Sequence, residues 1–581
     1  MNLRCSVKNL FNIRMLDEHR KVKKMKKKLL SVLLAVVMTA SLAACGGKGA
    51  GTASQTGSAS AKTQETSAKQ ESSASKQEAA QGIDPEAPNE DTVTITVGHK
   101  EEGNVEYPEG DDMYDNAWIR TYLERYNIKL EFAFAESGSE YETKVNLAMA
   151  ENNLPDVFVV TAAQLDLLLE ANLLYDLTEV FETYACDEIK SYAEGDPITF
   201  ETAHRDGRLY AIPQFGSGDM SQIELVWIRK DWKEALNLAD PQTMDDVVTI
   251  AEAFMEEYGA AYGIGTSNTL AALYYLAPAW GAYPDFWIED ENGQIVYGSI
   301  QPEMKEALAE WAAWYQSGII SENFATIDSA KLQEDTVNNK VGLYAHGQTW
   351  GWYPGGDMVK ANGPEAVFEP YLIPSATGEQ VLYPISCTNS NYIVISKDCE
   401  HPEAIFKMLK LHDLVRYDQD FAVNEPEMKS ALFDNMMQHY PQVFRVLSNT
   451  FEQEILYQIQ DALAKDDSSA LLGDALSRYE ECRKWMEEGD SASLGRYAQV
   501  QSFTIADKIL TSEQTISNKV WGISTETMSQ SGSILKDLLV EGFTKIIMGD
   551  EPVEYFDDLV ESWKNAGGEK MTQEVNAYYG K

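Results

Sequence analysis

Thr92-Val93-Thr94-Ile95-Thr96-Val97 opens the folded part of this 581-residue chain. Its apolar and polar side chains alternate, the period of a strand with one buried face. From residue 116 to 126 the period changes, and Trp118, Ile119, Tyr122 and Leu123 fall near one face of a helix. Residues 128–132 alternate again. Val145, Ala148 and Met149 then give a helical stripe, residues 154–160 end it and open a buried strand, and residues 164–169 return to a helix. This β-α-β-α-β-α order predicts an α/β fold with an open, mostly parallel sheet covered by helices.

Toward the N-terminus the character changes completely. Residues 46–90 are almost entirely Gly, Ala, Ser, Thr, Gln, Lys and Glu, with no aromatic residue and a single large aliphatic, Ile83. Such a segment cannot bury enough apolar surface to offset its ordering entropy, so residues 45–91 read as a flexible tether. Before it stand the basic cluster Met25-Lys26-Lys27-Lys28, an apolar run over residues 29–37 that is short for a membrane span, and Leu42-Ala43-Ala44-Cys45. Basic, apolar and small-residue segments in that order are a secretion signal, assigned to residues 25–44. Leu-Ala-Ala-Cys resembles the lipobox of bacterial lipoproteins, and the resemblance implies cleavage before Cys45 and lipidation of that residue. Residues 1–24 are basic, show no apolar periodicity, and read as an upstream extension.

The totals narrow the functional classes. Hydrophobic residues make up 44% of the chain, ample for real cores. The formal net charge is -45, and the first 44 residues carry ten Lys/Arg against two Asp/Glu, which leaves the remainder near -53. That surface repels phosphate backbones, so no nucleic-acid partner is expected. Beyond Cys5 and Cys45 the cysteines are Cys186, Cys387, Cys399 and Cys482. They form no C-x-x-C pair, so no zinc site is expected, and their spacing leaves disulfide pairing open.

On the C-terminal side, residues 208–214 mark a break, residues 224–228 a strand, and Thr243 the N-cap of a helix. Glu291-Asn292-Gly293-Gln294 reads as a hairpin turn. Met304, Ala307, Leu308, Trp311, Trp314 and Tyr315 share a helical face. Residues 341–345 and 392–395 are strands, and after Pro402 the chain reads as predominantly helical.

Several segments now share one pattern: "LPDVFVV" at 154–160, "RDGRLYAIPQ" at 205–214 followed by "LVWIRKDW", "NGQIVYGSIQPEMKEALAEWAAWYQSGII" at 292–320, "CEHPEAIFKMLKL" at 399–411 and "GGEKMTQEVNAYYG" at 567–580. They resemble the extracellular solute-binding lipoproteins of ABC-type carbohydrate importers, in the large oligosaccharide-binding branch of Gram-positive bacteria. The resemblance implies a two-lobed, periplasmic-binding-protein-like fold of type II, with discontinuous lobes and a ligand cleft between them. The expected partition is residues 92–213 as the first part of lobe 1, 214–335 as the first part of lobe 2, 336–384 as a return to lobe 1, and 385–581 mainly in lobe 2. It also implies an oligosaccharide ligand, permease subunits as partners, a monomer, and a lipid-anchored position on the outer face of the cell membrane. The alternatives are a surface-anchored receptor for peptides or another solute, and a glycan-active surface enzyme.

No H-E-x-x-H, G-x-S-x-G or G-x-x-x-x-G-K-[ST] motif occurs, so no catalytic residue, metal or cofactor is assigned. Some alginate-binding members of the family are described as calcium-bound. The turn at 290–294, however, is followed by Gln301 where a calcium loop needs Glu. Sugars stack on aromatic rings and need fixed donors and acceptors. Two aromatic stretches with Gly and Pro fit: residues 274–283, with Tyr274, Trp280 and Tyr283, and residues 347–354, with Trp350 and Trp352. Trp280 and Trp350 are expected on opposite walls of the cleft. From lobe 1, loops at strand ends nominate Asp115, Asn116, Trp118, Thr161 and Gln164, and Gln222 lies just past the first crossing. Helix capping, solvated loops and core packing are the competing roles for all of these.

Overall fold

A computed structural model describes residues 87–101, 107, 109–214, 218–387, 391–417, 444, 446, 448–471 and 473–581. The signal, the upstream extension, Cys45 and nearly all of the tether lie outside the described residues.

Strand β1 (Val93–Glu101) is followed by helix α1 (Ala117–Tyr126), β2 (Ile128–Ser137), α2 (Gly138–Glu151), β3 (Val157–Thr161) and α3 (Ala162–Glu170), in the predicted order. Strand β4 (Ala211–Pro213) completes the first stretch of chain. In the second lobe come β5 (Leu225–Arg229), α4 (Met244–Tyr258), α5 (Ala271–Leu276), the hairpin β6 (Trp287–Glu289) and β7 (Ile295–Tyr297), α6 (Pro302–Ser317), α7 (Ser329–Val337), β8 (Leu343–His346) and β9 (Phe368–Tyr371). Strand β10 (Tyr383–Ile385) precedes β11 (Asn391–Ile395) and α8 (Ala404–Tyr417).

The first lobe is built on a five-stranded sheet in the order β2-β1-β3-β11-β4. β1 is parallel to β2 and β3, whereas β11 runs antiparallel to β3 and β4. Its core gathers Val97, Trp118, Phe158, Ile212, Ile393 and Leu409. The second lobe holds a three-stranded antiparallel sheet, β8-β5-β9, covered by α4, α6 and the C-terminal helices. Thr243 caps α4 as expected, in a box with Asp246. Trp311 and Trp314 are buried on the face of α6 that the spacing indicated.

The partition of the chain differs from the expectation at two segments. Residues 336–384 do not return to the first lobe. Leu343↔Ile228 and Ala345↔Val226 pair β8 with β5, and β9 pairs on the other side of β5, all inside the second core. The return is made by β11 and α8, whose buried hydrophobic residues, together with Phe444 and Val446, belong to the first core. Alternation predicts a strand but carries no information about which sheet it joins, because every sheet offers the same ladder of donors and acceptors.

Three segments therefore cross between lobes, and they lie together. Tyr392 pairs with Pro213, the Gln214 amide donates to the Asn391 carbonyl at 3.0 Å, and the Ser386 amide donates to Gln222 Oε1 at 2.8 Å. The third crossing, at Ser448–Thr450, reaches both lobes: Asn449 Nδ2 donates to the Gly195 carbonyl at 2.9 Å, and the Asn449 carbonyl presses against Gly218.

Candidate functional site

β5 begins at Leu225, three residues past Gln222, so the second sheet starts directly at the crossing. Leu225 pairs with His346, the last residue of β8. Between this edge, α5 and α7 lies a cavity of about 140 Å³. Ser267, Tyr275, Ser329, Gln333, His346 and Tyr353 supply its aromatic and hydrogen-bonding surface. Tyr353 is 66% exposed, and Tyr275 is half-buried on α5. An aromatic-lined hollow with neutral donors and acceptors can stack a ring's C–H face and bind its hydroxyls. At about 140 Å³ it is smaller than the roughly 300 Å³ at the low end of whole-ligand pockets, so it suits one part of a longer ligand.

Glu224 stands at the rim of this edge. It is half-buried, and its Oε2 lies 2.9 Å from where a Cβ on Gly347 would sit. That oxygen has no hydrogen-bond partner, and burial raises the carboxyl from 4.5 to about 8. His346 is shifted the other way: burial favours its neutral form, opposed only by its contact with the Gly347 carbonyl. In the first lobe His99, near the carboxyl end of β1, is 2% exposed with both ring nitrogens unpartnered, and burial lowers it to about 4.

The Glu224 carboxyl makes a prediction about pH. In the folded state it keeps a proton that the unfolded chain releases near 4.5, so stability falls as pH rises from about 4.5 to about 8. Glu224→Gln removes that dependence. The variant should gain on the wild type steadily as pH rises through this window, read as the difference in melting temperature across a buffer series. A constant difference would mean that Glu224 ionises normally in the folded protein.

Most of the residues nominated from sequence have structural duties. Asn116 caps α1, accepting from the amides of Trp118 and Ile119. Trp118 is buried against His412 in the first core, at a centroid distance of 6.1 Å. Asp115 is exposed and paired with Arg120 at 2.8 Å. Thr161 and Gln164 form the capping box of α3, and Gln164 Nε2 also donates to Asn146. Gln222 is engaged at both ends, by Ser386 and by Asp219.

The two tryptophans expected on opposite walls of a cleft both belong to the second core. Trp280 packs edge-on to Trp311 at 6.1 Å and to Trp314 at 5.7 Å. Trp350 stacks on Trp227 at 5.3 Å and lies tilted against Phe368 at 4.7 Å. Trp352 carries Arg496 over its ring at 5.1 Å, and Tyr283 is buried beside Phe286. Tyr274 faces Phe543 in the core. Short helical turns at 277–280 and 348–351 fold both stretches inward, and Gly and Pro in a turn do not reveal which side faces the core.

What the sequence reading missed lies one step from what it chose. Successive helical residues point about 100° apart, so Tyr274 on α5 enters the core while Tyr275 reaches the cavity. Tyr353 follows Trp352 in the same stretch. Glu224 carried no signal of its own.

The turn at 290–294 closes the β6–β7 hairpin, and Asp290 Oδ1 accepts from the amides of Asn292 and Gln294. The acid thus caps its own turn. The four described cysteines form no disulfide with one another. Burial pushes Cys186, Cys399 and Cys482 up to about 12, which leaves them unreactive.

Two lobes joined by adjacent crossings, with an aromatic, hydrogen-bonding hollow at the β8 edge of the second sheet, have the architecture of a two-lobed binding protein. The chain belongs to the bacterial extracellular solute-binding protein family, whose model matches residues 110–411, more than half of its length. It is 23% identical to lipoprotein LipO of Bacillus subtilis over 484 residues, covering 79% of this chain and 88% of LipO. It is 21% identical to the polygalacturonan/rhamnogalacturonan-binding protein YtcQ of the same organism, covering 74% and 82%. Among solved structures it is similar to the HMO-binding, ABC-transporter-associated solute-binding protein of Bifidobacterium longum infantis. That match has a TM-score of 0.56 and 13% identity over 85% of this chain and 98% of the other.

Proposed function

We propose that this protein is the lipid-anchored, monomeric receptor of an ABC importer, capturing an oligosaccharide between its lobes and delivering it to the permease on the outer face of the membrane. The observation that carries this reading is the aromatic cavity, with no Lys or Arg among its described lining, between α5, α7 and the end of β8. Relatives named for polygalacturonan, rhamnogalacturonan and fructooligosaccharide binding support a carbohydrate as the ligand. The receptor performs no chemistry on the sugar. Its contribution is differential affinity, tight when closed and weaker when the permease opens it.

The test is calorimetry against a panel of neutral and acidic oligosaccharides, with peptides as the competing class. Tyr353→Ala and Tyr275→Ala should each weaken the sugar that binds by about 30-fold, the roughly 2 kcal/mol typical of a binding-site aromatic. Unliganded melting of Tyr353→Ala should be unchanged because the ring is exposed. Binding to peptides alone would sink the carbohydrate reading, and full affinity in both variants would move the site elsewhere.

Cys45 as the lipidated N-terminus rests on the Leu-Ala-Ala-Cys motif and makes its own prediction. Cys45→Ala should leave the precursor uncut or release the protein to the medium. A processed Cys45→Ala protein that stays in the membrane would refute the anchor.

A further inference from the structure

We propose that the protein carries a second carbohydrate-binding groove, separate from the cavity at β8, which holds a neutral stretch of a glycan chain. It lies where the β6–β7 hairpin meets the C-terminal helices α9 (Tyr555–Trp563) and α10 (Glu569–Tyr578). The inference goes beyond the reading above and does not rest on it, because the two cavities share no lining residue.

The groove encloses about 620 Å³, within the roughly 300–1,000 Å³ of ligand pockets. Its walls are tied together by side chains that line it. Asn576 on α10 bridges the outward edge of β7: its Oδ1 accepts from the Ile295 amide at 2.9 Å, and its Nδ2 donates to the Ile295 carbonyl at 2.8 Å. Gln301 Nε2 donates to the Tyr297 carbonyl at 2.8 Å. The Tyr297 ring stacks on Trp563 at 5.3 Å, and its hydroxyl donates to Asp285 at 2.9 Å. Between α9 and α10 the chain bends at Gly567, with φ of +129°. Gly568 then packs on Trp563, where an added Cβ would lie 2.2 Å from the indole. Hairpin and helices are therefore fixed before a ligand arrives, which removes the cost of ordering them.

The chemistry of the lining selects the occupant. The amides of Gln294, Asn565 and Gln573 are exposed, beside the half-buried aliphatic side chains of Val296, Ile300 and Val560. Each amide offers both donors and an acceptor, as sugar hydroxyls require, and the aliphatic surface matches the C–H face of a ring. An extended peptide would instead add to a free strand edge. Here the edge groups of Ile295 and the Tyr297 carbonyl are already engaged. A polyanion would meet one cation among the described lining residues, Lys564, which is paired with Glu561 at 2.9 Å, and a further negative charge on Glu569. A second contact on a long glycan raises the local concentration of that chain at the receptor.

The experiment is hydrogen exchange read by mass spectrometry on the chain from residue 46 onward, which includes the whole compact unit Ala79–Lys581. The probes, at millimolar concentration, are the hexasaccharides of β-1,4-glucose, β-1,4-mannose, β-1,4-xylose and α-1,4-glucose, with hexagalacturonate and a random hexapeptide mixture for comparison. At least one neutral hexasaccharide should slow exchange in residues 294–301 and 563–576, and this protection should persist in Tyr353→Ala. The double variant Asn565→Ala/Gln573→Ala removes two exposed amides, so its melting should match the wild type. It should weaken binding at the groove by about tenfold, the loss of two hydrogen bonds. Absence of protection in both segments with every neutral hexasaccharide would overturn the proposal. So would stronger protection by hexagalacturonate or by the peptides, or protection that the double variant leaves intact. Protection of the groove with no sugar effect on residues 329–346 would support the groove and remove the reading of the β8 cavity, so the two fail separately.

Discussion

Trp350→Ala is expected to lower the stability of the unliganded protein by about 3–5 kcal/mol, the range for truncating a fully buried large aromatic. Its ring is 0% exposed, stacked on Trp227, tilted against Phe368, and approached from the other side by the backbone of Gly355. Deleting it opens a cavity at the centre of the second core, next to the β8-β5-β9 sheet whose edge forms the cavity wall. Tyr353→Ala, three residues away and exposed, should change stability by less than about 0.5 kcal/mol. Denaturant midpoints of the two variants make the comparison. A Trp350→Ala protein that unfolds like the wild type but no longer holds its ligand would restore this residue to the binding surface.

Gly218→Ala should disturb the junction between lobes as strongly. Gly218 has φ of +78° and ψ of 176°, a region that costs other residues roughly 1–3 kcal/mol. An added Cβ would lie 1.9 Å from the Asn449 carbonyl oxygen. That atom is backbone, so no rotamer change relieves the overlap, and the first and third crossings must separate. Overpacking of this kind adds about 1–3 kcal/mol. The combined loss of roughly 2–6 kcal/mol should appear in thermal unfolding together with faster proteolysis at the junction. Gly207→Ala is the control, since Gly207 also has a positive φ, of +71°, but has nothing within 4 Å of its added Cβ. Equal losses in the two variants would mean that the contact with Asn449 contributes nothing.

Both of these predictions depend on a placement that local sequence does not contain. What the sequence determined by itself is periodic or compositional. Alternation at residues 92–97 and the helical stripes after it gave the first lobe's strands and helices, because burying one face of an element requires a fixed spacing of apolar residues. The spacing of Met304, Leu308 and Trp311 placed α6 against a core for the same reason. Thr243 announced a helix start because capping is a local hydrogen bond. Six quoted segments indicated the family.

Only the tertiary structure decided which sheet each strand joined and which aromatic faced the ligand. β8 looks the same in sequence whether it pairs with β5 or with a strand of the first lobe. The choice is made by long-range burial, with Leu343 and Ala345 entering the core that already holds Val226 and Ile228. Tyr274 and Tyr275 are chemically identical neighbours, separated only by the rotation of α5 against Phe543. Glu224 is one of 92 acidic residues in the sequence, and its distinction is a lost hydration shell. Solvent exclusion is a property of the packed chain, and no spacing along the sequence encodes it.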